Sequence, residues 1–571
     1  MKSNYIIRIR IISGLIFLVA LALVSKMYWL QIMHGEEFAL KADRQYVSSE
    51  YKIFDRGTIF FSTKDGVPIS GATLKTGFTL AINPKNIQNA EDVFNKINNI
   101  YPLNKDIFIT KATKADDPYE EIAKRLDEKT AESIKSLKIN GVILTKDKWR
   151  VYPGGSMGAN ILGFVGYKGD ELVGRYGLEQ FYEDTLARKG DDLYVNFFAQ
   201  IFANLKNTFN SEQTNEGDIV TTIEPSVQDF LDKKLSEVNN FWKSEYTVGL
   251  IMNPTNGEVY AMGMAPTFNP NSYQDEENLF RFSNPLIDGG YELGSIVKAL
   301  TMASGIDAGV VTPESTFKDE GFVTLDDYTV RNHGLPAQGV VSMQDVLNKS
   351  LNTGVYHVVK KLGKDKFKEY FTNFGLGEKT GIDLPGEVAG KISNINTTRD
   401  IEFANAAFGQ GIAPTGIAMS RALSVLANGG YLVTPHLVKK IDYRVGIGKE
   451  VSYSQGKQVI SKKASETMTK MLVNVVDVAL KNGKVKNPRY SIAAKTGTAQ
   501  ISRPKNLGGG YYDDRYLHSF FGYFPAYNPQ FMIFFFTYYP KEVEYASETL
   551  TSGFIETVNF LISYYSVPPD R

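Results

Sequence analysis

The sequence predicts a multidomain α+β protein whose C-terminal region forms one sheet, closed by strands from its two ends and covered by helices. Three observations carry this. The chain has 571 residues, too many for one ordinary core, so two or more domains are expected. Strand-like apolar runs stand at Val248–Met252 and Glu258–Met262, and again at Ser519–Phe524 and Phe531–Thr537, with helical stretches between. Ahead of all this, Ile11 to Leu30 is the one segment of membrane length.

As a helix, Ile11–Leu30 would span roughly 30 Å, enough for the hydrocarbon core of a bilayer. Lys2, Arg8 and Arg10 precede it and Glu36 and Glu37 follow. Positive residues stay cytoplasmic, so residues 1–10 read as a cytoplasmic tail, 11–30 as an anchor and the rest as extracytoplasmic. Lys26 can snorkel, and Tyr28 and Trp29 suit the interface. The competing reading is a cleaved secretory signal. The anchor is preferred because apolar character resumes after Lys26 and no small-residue cleavage site follows.

Residues 37–220 read as a first, noncatalytic domain. Its charged stretch from Lys111 to Lys138 looks like solvated helices. Composition turns polar around Glu212 to Pro225 and restarts as Ile219-Val220-Thr221-Thr222-Ile223, which marks the junction with a second domain over 221–571. Within that second domain, the first of the strand-like runs is followed by Asn253-Pro254, so Val248–Met252 and Glu258–Met262 read as a hairpin. Pro525, Asn528 and Pro529 mark the turn between the last two runs. Gly-rich Arg503 to Gly510, between Ser502 and Arg515, reads as a loop, either a flap or an inert surface turn.

Composition excludes several classes. Lys plus Arg and Asp plus Glu are both 63, so no basic bias points to nucleic acid. Without cysteine there are no disulfides, thiolate metal sites or lipidated cysteine anchors. The five histidines are scattered with no HExxH-like pair, and neither metal nor cofactor is expected.

Three polar words in one order carry the chemistry: Ser295-Ile296-Val297-Lys298, Ser350-Leu351-Asn352 and Lys495-Thr496-Gly497-Thr498. Residues three apart meet only on a helix, and the apolar run Ile296 to Ala303 after Gly294 suits a buried one, with Ser295 at its N-terminus. A serine hydroxyl needs an adjacent base, for which Lys298 is the nearest candidate. The lysine must be buried or lie near a second cation, such as Lys495, to lose its proton. Two decoys fail on context: Ser454-Gln455-Gly456-Lys457 follows a polar lead-in and contains Gly, and Lys379-Thr380-Gly381 sits among Gly and Pro. Gly289 and Gly294 have phosphate-loop spacing, but Ser295 stands where that loop needs lysine.

The three words together are those of penicillin-binding proteins and class A β-lactamases. The chain resembles the class B penicillin-binding proteins over nearly its whole length. The likeness extends to Arg56-Gly57-Thr58-Ile59, Arg150-Val151-Tyr152-Pro153, Gly177-Leu178-Glu179, Gly375-Leu376-Gly377, Thr380 to Glu387 and Gly409-Gln410-Gly411. It departs at Leu293, where the family often has Pro, and at Phe61-Ser62-Thr63-Lys64, where the family runs into Asp-Arg.

The resemblance implies an elongated N-terminal pedestal and a transpeptidase domain with a five-stranded antiparallel sheet. Ser295 would attack the D-Ala–D-Ala carbonyl of a stem peptide, Ser350 would relay a proton, and Asn352 would hold the substrate amide. Lys495, Thr496 and Thr498, with Gly497 between them, would bind the terminal carboxylate. Backbone N–H groups of Ser295 and Thr498 would form the oxyanion hole. Implied partners are peptidoglycan stem peptides, β-lactams, the membrane, and a polytopic SEDS-type glycosyltransferase with other divisome or elongasome proteins. Length and C-terminus lean toward the division type. The same serine also serves D,D-carboxypeptidases and β-lactamases, and a noncatalytic membrane-anchored scaffold or β-lactam sensor is an alternative from another class.

Overall fold

The computed structural model describes residues 54–114, 117–169, 171–188, 215–444, 447–453 and 456–571, with scattered positions between 14 and 26. The predicted tail 1–10, most of the predicted anchor, residues 37–53 and 189–214, and Ser454 and Gln455 of the decoy lie outside the described residues. Among the described residues no helix is long and apolar enough to cross a membrane.

Five strands form the main sheet: β1 (Tyr246–Met252), β2 (Val259–Ala265), β3 (Ala493–Ser502), β4 (Tyr511–Phe524) and β5 (Phe531–Tyr538). Their order is β3-β4-β5-β1-β2, every neighbouring pair antiparallel. The centre is where the two ends of the region meet, with Val248 opposite Phe536. All of β1 and nearly all of β5 are buried, which is why both read as continuous apolar runs: the sheet is covered on both faces.

Helices α1 (Pro225–Trp242) and α5 (Thr551–Tyr565) cover one face, burying Leu231, Leu235, Phe554 and Leu561 against Phe520 and Phe535. Helix α1 starts where Pro225 takes the first position and the Glu224 side chain accepts from Val227 N–H. On the other face lie α2 (Lys298–Asp307), α3 (Met343–Asn348) and α4 (Asn352–Leu362).

Ser295 is not in the first turn of an α-helix. Gly294–Val297 is a 3-10 turn, and the α-helix begins at Lys298. The tighter turn follows from Gly294, whose φ of +64° redirects the chain into it. The predicted loop after Ser502 is shorter than expected. Strand β4 already starts at Tyr511, which pairs with Ser502, so only 503–510 connects a long hairpin.

Asp55–Thr76 and Lys148–Arg571 form one compact unit, and Gly77–Asp147 belongs to a second. In the second, strand residues Phe78–Ile82 pair with strand Glu120–Leu126, and Leu80, Ile82, Phe94, Ile97, Phe108 and Leu126 make the core. The charged stretch 111–138 is therefore not purely helical. Its middle, Glu120–Leu126, is a strand at the margin of a sheet, where charge is tolerated because one side faces water.

In the larger unit, strand Ile59–Ser62 pairs in parallel with Gly217–Thr221, which pairs in turn with Val438–Tyr443. Three of the segments that carry the family resemblance meet beside it. The Glu179 carboxylate accepts from Arg56 Nε (2.5 Å), Arg150 Nε (2.6 Å) and the Tyr152 hydroxyl (3.1 Å), all four side chains being buried. Arg150 also donates to Gly57 O, and Arg56 to Glu183. Burial by itself pushes the Glu179 carboxyl up, but Arg150 and Arg56 outweigh it and hold it below the ordinary value.

Glu179→Gln is expected to destabilise the folded protein by about 3–5 kcal/mol, because two guanidinium groups lose their buried counter-charge. Urea unfolding measures this. A carboxyl depressed in the folded state contributes stability above its unfolded pKa and loses it as pH falls through the folded one. The difference between wild type and variant should therefore shrink in acid.

Candidate active site

The serine turn and the edge strand β3 pack with no side chain between them. A Cβ on Gly294 would lie 2.5 Å from Thr498 O, and one on Gly497 would lie 2.4 Å from Ser519 Oγ and 2.5 Å from Leu293 O. Glycine at both positions lets two backbones close to a distance any other residue would forbid. Gly409 completes the seat: its carbonyl accepts from Gly294 N–H (3.1 Å), and a Cβ there would lie 2.2 Å from Gly294 O.

Behind this contact two lysines converge on one hydroxyl. Lys298 Nζ donates to Ser350 O (2.5 Å) and Ser350 Oγ (3.2 Å), while Lys495 Nζ donates to the same Oγ (3.1 Å) and to Thr496 O (3.0 Å). Lys298 is 1% exposed and Lys495 4%. Among the described residues neither amine pairs with a carboxylate. Burial, and secondarily the charge of Lys495, pushes the Lys298 amine well below its usual value, and burial brings Lys495 down to about 8. An amine so placed can take a proton at neutral pH.

Ser350 reaches both amines because its backbone is turned to φ +57°, between the end of α3 and the start of α4. The first residue of α4 is Asn352, whose Nδ2 donates to Arg331 O (2.8 Å). Ser295, Lys298, Ser350, Asn352, Thr496 and Thr498 all line one cavity of ≈ 400 Å³. Lys495 joins them through Ser350 Oγ, and Gly497 supplies the close backbone contact. All three predicted words therefore meet.

A family model for the penicillin-binding protein transpeptidase domain matches residues 247–552, and one for the penicillin-binding protein dimerisation domain matches 55–222. The chain belongs to the penicillin-binding protein transpeptidase family, in its class B. This transpeptidase is 29% identical over 551 residues to stage V sporulation protein D of Bacillus subtilis, covering 94% of this chain and 83% of that protein. Peptidoglycan D,D-transpeptidase FtsI of Buchnera aphidicola is 24% identical over 574 residues, covering 98% and 95% respectively. Among solved structures, penicillin-binding protein 3 of Mycobacterium tuberculosis in complex with aztreonam matches with a TM-score of 0.64 at 26% identity, over 75% of this chain and 92% of that one.

Several residues of the transpeptidase cleft escaped the motif reading. Gln410, Tyr516, Tyr545 and His333 line it, and His333 Nε2 meets the Glu544 carboxylate at 2.9 Å. Glu292 accepts from Gly411 N–H (2.9 Å) and the Tyr511 hydroxyl (3.1 Å), joining the serine turn to the hairpin and to Gly409-Gln410-Gly411. For the last segment the resemblance was the available signal. Tyr511 and Tyr516 stand on β4 and Glu292, His333 and Tyr545 on loops, none of them marked by a spacing rule. The decoy Lys379-Thr380-Gly381 is a structural turn, its Thr380 and Gly381 amides held by the Glu387 carboxylate.

Because the folded-state pKa of Lys298 lies below its unfolded value near 10.5, the folded state binds fewer protons between the two. Wild type should thus gain stability relative to Lys298→Met as pH rises from 7 toward that value, by at most about 1.4 kcal/mol per pH unit. Urea midpoints across that range test it; a flat difference would mean the buried amine stays charged.

Proposed function

We propose that this transpeptidase crosslinks peptidoglycan stem peptides through an acyl-enzyme on Ser295, and that β-lactams are trapped on the same oxygen. The observation that carries the assignment of roles is the pair of buried lysine amines meeting at Ser350 Oγ beside Ser295 in one cavity. A neutral Lys298 takes the Ser295 hydroxyl proton as Oγ attacks the D-Ala–D-Ala carbonyl. Oxyanion charge falls to the backbone N–H groups of Ser295 and Thr498, each such donor being worth about 3–4 kcal/mol in comparable sites.

Collapse breaks the peptide bond, and the leaving D-Ala nitrogen receives a proton through Ser350 Oγ. The amino group of a neighbouring stem then attacks the ester, forms the crosslink and returns the proton to Ser295. Strand β3 supports the binding mode: as an edge strand it offers unpaired backbone groups to an extended peptide. Thr496, Thr498 and the Lys495 charge, with Asn352 lining the same cavity, suit a terminal carboxylate and a substrate amide.

Labelling with a fluorescent penicillin tests the roles. Wild type should form an ester that persists through denaturing electrophoresis, Ser295→Ala none, and Lys298→Arg should label at least about 100-fold more slowly. The acylation rate should climb with pH through the lowered pKa of Lys298. An unchanged rate in Lys298→Arg removes this base from the mechanism, and rapid loss of the label favours a β-lactamase.

We also propose that residues 11–30 anchor the chain in the cytoplasmic membrane with the catalytic unit outside, and that it serves septal wall synthesis beside a polytopic glycosyltransferase. The charge asymmetry around 11–30 supports the orientation. The near full-length likeness to a protein named peptidoglycan D,D-transpeptidase FtsI supports a role in wall synthesis. Depletion should give filaments without septa; rounded cells would assign the enzyme to elongation instead.

A further inference from the structure

The Ser350-Leu351-Asn352 loop is held from outside by a part of the chain that no motif marks. Helix α4 has no side-chain cap of its own: Leu351 stands at its N-cap position. The second residue of the helix, Thr353, instead donates its N–H to Asn332 Oδ1 (3.2 Å) and its hydroxyl to Asp319 Oδ1 (2.6 Å). Asn332 cannot choose its orientation freely, because its Nδ2 donates to both Asp319 oxygens (3.0 and 3.1 Å). That leaves the Asn332 carbonyl oxygen facing Thr353. The residue before it, Arg331, presents the carbonyl that fixes Asn352 Nδ2.

Asp319 is thus the node of a cap supplied in trans. It is 1% exposed and lies on strand Thr316–Asp319, which pairs with Gly339–Ser342. It also accepts from Gln338 N–H (2.9 Å) and Gly321 N–H (3.2 Å). Four donor groups, making five hydrogen bonds, satisfy one carboxylate. Burial raises its pKa, and these hydrogen bonds outweigh burial and hold it below the ordinary value. An anion near the N-terminus of α4 also complements the helix dipole.

We infer that Asp319 is a positioning residue for the transpeptidation reaction: through Asn332 and Arg331 O it sets where the Asn352 amide points. It touches neither substrate nor Ser295. The inference rests on the transpeptidase reading of the cleft and adds a residue to it. Replacing the carboxylate by an amide sets an NH₂ donor against groups that themselves donate to it, the Asn332 NH₂ among them. Asn332 can then flip, Thr353 N–H loses its Oδ1 partner, and the backbone that presents Arg331 O to Asn352 is no longer held.

The test is a double-mutant cycle on the second-order acylation rate with a fluorescent penicillin, using full-length protein with Asp319→Asn, Asn352→Ala and both. Because displacement of a binding group by about 1 Å can cost on the order of 100-fold, Asp319→Asn is expected to slow acylation by about 10- to 100-fold. Since Asp319 acts through Asn352, the double variant should be no slower than Asn352→Ala alone. Multiplicative losses, or an Asp319→Asn rate within about 3-fold of wild type, would overturn the inference.

Rates are referred to folded protein by far-UV circular dichroism. Thr353→Val, which removes a single hydroxyl donor, gives the same cycle if Asp319→Asn does not fold. A wild type that fails to label would refute the transpeptidase reading itself, whereas a labelling wild type with an unaffected variant refutes the positioning role alone.

Discussion

The active centre depends on one constraint: two lysine amines share a single serine hydroxyl with, among the described residues, no compensating carboxylate and almost no exposure to solvent. Ser350 Oγ accepts from Lys298 and Lys495, both nearly inaccessible. Two ammonium groups cannot both stay charged in such a place, so burial forces one toward the neutral form. A neutral amine at this place is therefore a product of packing, and the surrounding architecture keeps that packing tight.

Glycine makes the closeness possible. Gly294, Gly409 and Gly497 stand where the serine turn, the Gly409–Gly411 segment and the edge strand touch backbone to backbone. The strand β3 is fixed on its other side by nine paired positions along β4, from Ala493 opposite Tyr523 to Ser502 opposite Tyr511. Its inner side faces the turn. A rigid sheet thus carries Lys495, Thr496 and Thr498, while the 3-10 turn before α2 carries Ser295 and the turn between α3 and α4 carries Ser350. Remote segments are recruited in the same way: Glu179 gathers Arg56 and Arg150, and Asp319 reaches across to Thr353.

Much of the fold was legible because it is written in short-range patterns. The apolar runs of β1 and β5, bounded by Pro and Asn, match the strands within a few residues, whereas β4 begins at Tyr511, well before the apolar run at Ser519–Phe524 that announces it. The middle of the 111–138 stretch was misread, since an edge strand such as Glu120–Leu126 has one solvated side and its charges imitate a surface helix. The serine segment was read as α-helical from its spacing, yet a 3-10 turn begins it, because a residue three positions on is near in either geometry.

The sequence by itself determined which residues to look for together: a serine, two lysines, a second serine and an asparagine in words whose order and local context agree. It also determined which words were decoys, since Gly and Pro beside Lys379-Thr380-Gly381 are visible locally. Only the tertiary structure decided that Ser350 lies between the amines, that both amines are nearly inaccessible, that His333 lines their cavity, and that Asp319 and Asn332 hold the start of α4. Such pairings join residues far apart in the chain through hydrogen bonds and burial, and neither periodicity nor spacing records which distant groups a folded backbone will bring within 3 Å.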